Sequence, residues 1–382
     1  MKTFLSKYFK GDSVIWGVIF LLSILSVLAV YSSTGTLAYK YQGGNTTYYF
    51  IKQGLFILFG FFIIYITHSL PYRYYSRISQ LLLFIAVPLL FLTLLLGTNL
   101  NEASRWITVP GIGVTFQTSD LAKLALIMYV ARMLAKKQDN IKGFKDAFIP
   151  IFLPILIVCG LIFPANFSTS ALLFLTTWVL MFVGRISLKY LFGIIGIGVV
   201  SVSLFVLIAM QLPKQGRVGT WINRIENFMS GDEDTNYQAE QAKIAVVTGE
   251  LIGKGPGNSS QRNFLPHPYS DFIYAIIIEE YGLFGGIVIA LLYLVLLYRA
   301  VYIAKRCTGI FGTFLAIGLG FSLVLQAMIN MAVSVNLLPV TGQTLPFVSM
   351  GGTSILFTSA AIGIILSVSK STSNEKINEQ PA

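Results

Sequence analysis

The residues best placed for chemistry in this 382-residue chain cluster around Asp271, where a polar, glycine-rich stretch meets an apolar run: GELIGKGPGNSSQRNFLPHPYSDFIYAIIIEEYG. Gly249, Gly253, Gly255 and Gly257 give that stretch a backbone able to approach a ligand closely. Asp271 itself has two readings. An aspartate at a helix start caps exposed backbone N–H groups. A carboxylate partly withdrawn from water at a membrane surface also gains basicity and can take a proton from a hydroxyl. Glu279 and Glu280 follow two helical turns later. A charge deep in lipid costs at least about 2.5–3.5 kcal/mol, so one or both of them face protein interior, water or a cation. A structural hydrogen-bond role and a functional one stand equal for this pair.

A second constellation is ASRWITVPGIGVTFQTSDLAKLALIMYVARML. Asp120 and Lys123 are three apart at the head of a helix, on one face, where they can neutralise each other. That structural role is the favoured one for Asp120. Lys123 can also hold an anionic substrate, as can Arg105, although an arginine beside Trp106 is equally what an interfacial anchor looks like. A third segment runs from Asn330 to Phe357, NMAVSVNLLPVTGQTLPFVSMGGTSILF, punctuated by Pro339, Gly342, Pro346, Gly351 and Gly352 and free of charge. Irregular backbone at membrane depth is buried in protein or lines a cavity, so this segment reads as a re-entrant wall. Asn336, Thr341, Gln343 and Ser349 supply hydrogen bonds and shape there but no useful acid or base. Nothing resembles a Walker loop, HExxH or CxxC, and His68 and His267 are the only histidines. ATP-driven transport and zinc hydrolysis therefore find no support.

The elements that position these residues follow from composition. Hydrophobic residues make up 55% of the chain and charged residues 11%, against roughly 25% charged in ordinary globular proteins. A bilayer core needs about 20 apolar residues per helix, and ten segments qualify: 13–33, 50–70, 79–98, 118–136, 148–164, 169–185, 190–211, 272–303, 310–332 and 353–370. The fold class is thus an all-α polytopic membrane protein of about ten transmembrane helices. A large loop, 212–271, lies between the seventh and eighth, and the re-entrant segment lies between the ninth and tenth. The apolar run behind MKTFLSKYFK is too long for a signal core and reads as an uncleaved first anchor. Alternate short loops carry Lys2, Lys7 and Lys10, Arg73 and Arg77, Lys136 to Lys145, Arg185 and Lys189, Lys305 and Arg306, and Lys370 and Lys376. The positive-inside rule then puts both termini in the cytoplasm and loop 212–271 outside. The net charge of +11 is mostly this topology signal, so no nucleic-acid partner is expected. Cys159 and Cys307 read as core residues, residues 1–370 as a single transmembrane domain, and 371–382 as a disordered tail.

The third segment, with LLPVTG, LPF and S-x-GG-x-S, resembles the signature of the FtsW/RodA (SEDS) family of peptidoglycan polymerases, and the likeness covers nearly the whole chain. Arg105–Trp106, the Q-x-S-D/E-x-x-K stretch ending at Lys123, GKGPGNS, LP-x-x-x-SDF and EE-x-G follow in the family's order. The GKGPGNS form is more similar to the division-type FtsW branch. The resemblance implies a glycosyltransferase that polymerises lipid II outside the cytoplasmic membrane, with Asp271 as the catalytic aspartate. It also implies septal location and partnership with a class B penicillin-binding protein, other division proteins and membrane lipids. Arg105, Lys123, Lys243 and Lys254 become candidates for a lipid-linked pyrophosphate, with Asn258, Ser349, Gly351 and Gly352 as further substrate contacts. Asp120, Glu279, Glu280, Asn330, Pro339, Gly342 and Pro346 become supports. A divalent cation, Mg²⁺ or Mn²⁺, is compatible with a pyrophosphate leaving group, and no organic cofactor is expected. Three departures stand out: Pro164-Ala-Asn-Phe-Ser168 where the family often has Pro-Asp-x-Gly, Pro266-His267 where Pro-Glu is common, and Asp120 for a more usual glutamate. Alternative functions for such a polytopic chain are a lipid II flippase and a scaffold for a division transpeptidase.

Overall fold

The computed structural model describes residues 10–96, 98–100, 103–108, 115–209 and 237–378. Each of the ten predicted apolar segments is helical: α1 (Ser13–Ser33), α3 (Thr46–Ser69), α4 (Tyr75–Leu96), α5 (Thr118–Lys136), α6 (Ile149–Ile162), α7 (Phe167–Val183), α8 (Leu188–Ala209), α10 (Ile273–Arg306), α11 (Ile310–Ser334) and α12 (Gly352–Asn378). Two further helices are α2 (Gly35–Gln42) and α9 (Tyr237–Gly249), the latter inside the large loop. Seven of the described helices are long and apolar enough to cross a membrane; α7 and the Leu188–Gly198 stretch of α8 are shorter apolar helical segments. The chain is a multi-pass membrane protein. Helix α5 carries Asp120, Lys123, Arg132 and Lys136 and falls outside that group of seven.

The chain divides into two compact units. One comprises residues 1–75 and 236–382, and holds α1–α3 and α9–α12. In it α12 packs along α3, α10 along α11, and α9 against α10. Asp12 caps α1 by accepting from the N–H groups of Val14 and Ile15 at 3.0 and 3.1 Å. The other unit, 76–235, holds α5–α8 with nearly all of α4. Its three short strands, β1 (Thr98–Leu100), β2 (Ala103–Thr108) and β3 (Thr115–Gln117), form an antiparallel sheet in that order, Trp106 standing opposite both Thr98 and Gln117. The last helix corrects one expectation: it runs on to Asn378 through residues read from sequence as a disordered tail. Cys159 and Cys307 are free thiols.

Candidate active site

The site is built where α10 begins. The N-cap position of α10 is Phe272, and no side chain caps it. Asp271 therefore stands one residue ahead of the N-cap position and two ahead of the first helical residue. Its Oδ1 accepts a hydrogen bond from Ser270 Oγ at 2.9 Å. Its Oδ2 lies beside Gly342, where a Cβ would sit 3.6 Å away. Gly342 has φ +66°, a conformation that side-chain-bearing residues rarely adopt, and its bare Cα leaves room beside the carboxylate.

The irregular segment between α11 and α12 is clamped onto this point. Asn330, buried on α11, donates from Nδ2 to the main-chain carbonyl of Asp271 at 2.9 Å and to that of Gln343 at 2.7 Å. Ser349 Oγ donates to the Ser270 carbonyl at 2.6 Å and accepts from the Leu345 N–H at 2.8 Å. The Met350 N–H donates to the Tyr269 carbonyl at 2.9 Å. Tyr293 Oη donates to the Pro346 carbonyl, and Gln326 Nε2 to that of Thr344 at 2.9 Å. Gln343, Leu345, Phe347, Val348 and Ser349 are buried, as irregular backbone in a membrane protein requires. Pro339 is half-buried on the segment's first limb; Gly351 precedes α12 and Gly352 opens it against Phe56.

The glycine-rich stretch has a different task from the one expected of it. Helix α10 is broken at Gly282, where φ is 71° and ψ −176°. The break leaves backbone groups without intrahelical partners, and the loop supplies them. The Lys254 and Gly255 N–H groups donate to the carbonyls of Glu279 and Glu280, both at 2.9 Å. The Leu283 and Phe284 N–H groups donate to the carbonyls of Glu250 and Leu251, at 2.9 and 3.4 Å. A Cβ on Gly282 would run into the Leu251 carbonyl oxygen, and one on Gly253 into that of Glu280. The glycines thus let two backbones touch each other.

Both glutamates are fully buried and both bind this loop. Glu279 accepts from Lys254 Nζ at 2.6 Å, from Ser260 N and Oγ at 3.1 and 2.9 Å, from the Gln261 N–H at 3.2 Å and from Ser259 Oγ. Glu280 accepts from Ser32 Oγ on α1, whose carbonyl is bonded by Arg262 at 3.0 Å. Both carboxylates are thus engaged by groups of this chain. Lys254, expected to meet pyrophosphate, instead spends its ammonium on Glu279 and on Ser260 Oγ at 3.1 Å. Asn258, expected at the substrate, closes the loop turn by donating to the Lys254 carbonyl at 3.0 Å. Lys243 is exposed on α9, whose Ala242 and Ala245 pack with Phe272, Ala275 and Val333 behind the site.

In the other unit, Lys123 Nζ meets Asp120 Oδ1 at 2.8 Å, with Asp120 buried. The ion pair read from their spacing is present. Arg105 belongs to β2, and its side chain lies outside the described residues. Asn166, where the family often has an acid nearby, caps α7 by accepting from the Thr169 N–H at 3.2 Å.

Sequence reasoning passed over Tyr269, although it lies inside the quoted LP-x-x-x-SDF stretch. Its hydroxyl is 3.1 Å from His267 Nδ1. Burial raises its pKa above the ordinary tyrosine value, and the neighbouring Tyr49, Asp271 and Tyr41 add to the rise. The phenol therefore stays protonated beside the carboxylate. Among the described residues no three His, Cys, Asp or Glu side chains converge. The described part of the chain offers no complete ligand set for a divalent ion.

A predominantly helical, multi-pass membrane protein with a carboxylate at a helix head, clamped by a buried irregular segment, is the class that fold and site define. The FtsW/RodA/SpoVE cell cycle protein family matches residues 12–374, and the chain belongs to that family. It is 34% identical over 367 residues to a probable peptidoglycan glycosyltransferase FtsW of Geobacter sulfurreducens, covering 94% of this chain and 95% of that one. It is 33% identical over 379 residues to the stage V sporulation protein E of Bacillus subtilis, covering 96% and 98%. Among solved structures, it matches a chain from a peptidoglycan synthase complex that coordinates polymerization and crosslinking, with TM-score 0.75, 22% identity and coverage of 95% and 98%. The rod shape determining protein RodA of Thermus thermophilus matches with TM-score 0.67, 21% identity and coverage of 97% and 98%.

Proposed function

We propose that this protein is a peptidoglycan glycosyltransferase that polymerises lipid II at the outer face of the cytoplasmic membrane during septal wall synthesis. The observation that carries the reading is the half-buried Asp271 carboxylate just ahead of α10, bonded by Ser270 and flanked by Gly342. The family membership and the names of its relatives support it. Asp271 takes the proton from the 4-hydroxyl of the acceptor GlcNAc as that oxygen attacks the anomeric carbon of MurNAc on the growing chain. The bond from that carbon to lipid pyrophosphate breaks, and the pyrophosphate leaves with its electron pair. Charge developing on the leaving group needs cations. Lys243, in the same unit as Asp271, is the proposed one, whereas Lys254 is committed to Glu279. Mg²⁺ or Mn²⁺ would arrive with the substrate phosphates rather than in a prebuilt protein site.

The positive-inside pattern places both termini in the cytoplasm and α9 with its loop outside. A class B penicillin-binding protein is the proposed partner. The reading is tested by reconstituting the purified protein with lipid II, with and without that partner, and resolving the products by size. Glycan strands support it. Lipid II moved between leaflets without any glycan would replace it with the flippase reading.

A further inference from the structure

The opposite end of α10 carries a feature that glycosyl transfer does not use. Arg299, Tyr302 and Arg306 follow one face of its last turns, beside a hollow of about 200 Å³ bounded also by Ser13 at the start of α1 and Thr372 on α12. Both guanidinium groups lie over the same ring, with the Arg299 Cζ 4.5 Å and the Arg306 Cζ 4.0 Å from the Tyr302 centroid. Asp12 neutralises Arg299, accepting from its Nε at 2.9 Å and also from Nη2. The hollow is thus polar, lined by Asp12 as well as Arg299, and among the described residues Arg306 has no carboxylate partner. The dipole at a helix C-terminus explains a basic residue at position 306. It does not explain a cavity lined also by Ser13, Ser369 and Thr372. Thr372 Oγ1 spends its one hydroxyl proton on the Val368 carbonyl at 3.0 Å, which leaves Ser13 rather than Thr372 as a hydroxyl donor.

We propose that this hollow binds a phosphate anion, with Arg306 as its principal ligand and Ser13 as a hydroxyl donor. A planar guanidinium offers two parallel N–H groups to phosphate oxygens. Arg306 is the last residue of a membrane-spanning helix, which sets it at the depth of lipid headgroups. The phosphate comes either from an anionic lipid or from free solution.

The test uses the full chain in detergent, with bound species counted by native mass spectrometry. One arm adds dioleoyl phosphatidic acid against phosphatidylcholine, and the other adds inorganic phosphate. Arg306→Ala weakens binding by about tenfold or more, as expected for loss of a charged hydrogen-bonding partner. Arg306→Lys retains part of it. Lys145→Ala, the same charge change on an exposed residue elsewhere, leaves binding intact. Arg306-dependent binding of phosphatidic acid assigns a lipid source, and Arg306-dependent binding of inorganic phosphate assigns a soluble one; both uphold the site. Absence of binding in both arms overturns the proposal, as does an equal loss in Lys145→Ala, which would reduce the effect to diffuse surface charge.

Discussion

One amide of Asn330 joins the two halves of the site: its Nδ2 donates to the Asp271 carbonyl at 2.9 Å and to the Gln343 carbonyl at 2.7 Å. The aspartate and the segment beside it are thereby held by a single side chain from a third element, α11. Ser349 repeats the arrangement one residue upstream through the Ser270 carbonyl. The carboxylate's position thus depends on groups that never touch the reacting atoms.

Replacing Asn330 with Ala leaves two carbonyls without that donor, at a cost of about 1–3 kcal/mol for each buried group left unpaired. Glycan synthesis falls and the melting temperature drops together. Ser349→Ala has the same direction. Thermal unfolding in detergent, run beside a polymerisation assay, checks both.

Gly282→Ala introduces a Cβ against the Leu251 carbonyl in a left-handed conformation. Such strain costs on the order of 1–3 kcal/mol. The loop therefore detaches from the helix break, and hydrogen exchange at the Lys254 and Gly255 amides accelerates. Unchanged exchange at those two amides would show that the loop does not depend on the break.

Lys254 and Glu279 form a partly buried pair at 2.6 Å. Lys254→Met leaves a carboxylate short of its cation, and Glu279→Gln leaves an ammonium without its anion. Each loses about 2 kcal/mol, reduced from the fully buried case by the exposure of Lys254. The double variant recovers part of the loss, which a double-mutant cycle of melting temperatures reads directly.

Tyr269 predicts a pH effect. Its folded pKa is raised, so above about pH 10 the unfolded chain releases a proton that the folded chain keeps. Its contribution to stability is present below the ordinary tyrosine pKa and is lost as pH rises toward the folded value. Tyr269→Phe makes the fall in melting temperature between pH 9 and 11 shallower.

Much of this was legible in the sequence because a bilayer restricts what a chain can do. Apolar runs of helix length gave the ten helices, and an uncharged segment rich in glycine and proline could only be buried irregular backbone. Asp271 stood out because a polar loop meets an apolar run there. The break at Gly282 was not legible: Glu279-Glu280-Tyr281-Gly282 inside an apolar stretch reads as helix interior. Only the docking of a loop about thirty residues upstream satisfies the broken backbone. Lys254 was misread for the same reason, since its partner Glu279 is 25 positions away. Tyr269 carried no signal of its own, because two of the groups that add to its raised pKa, Tyr41 and Tyr49, lie far off in sequence.

The central claim is that Asp271 is the base for glycosyl transfer. The direct measurement is the rate of lipid II polymerisation by purified protein with the proposed class B penicillin-binding protein, comparing wild type with Asp271→Asn. The substitution keeps the shape and the Ser270 hydrogen bond but removes the basic oxygen. The account predicts a loss of at least about 100-fold with the melting temperature and partner binding preserved. A folded Asp271→Asn protein that polymerises at near wild-type rate would contradict it.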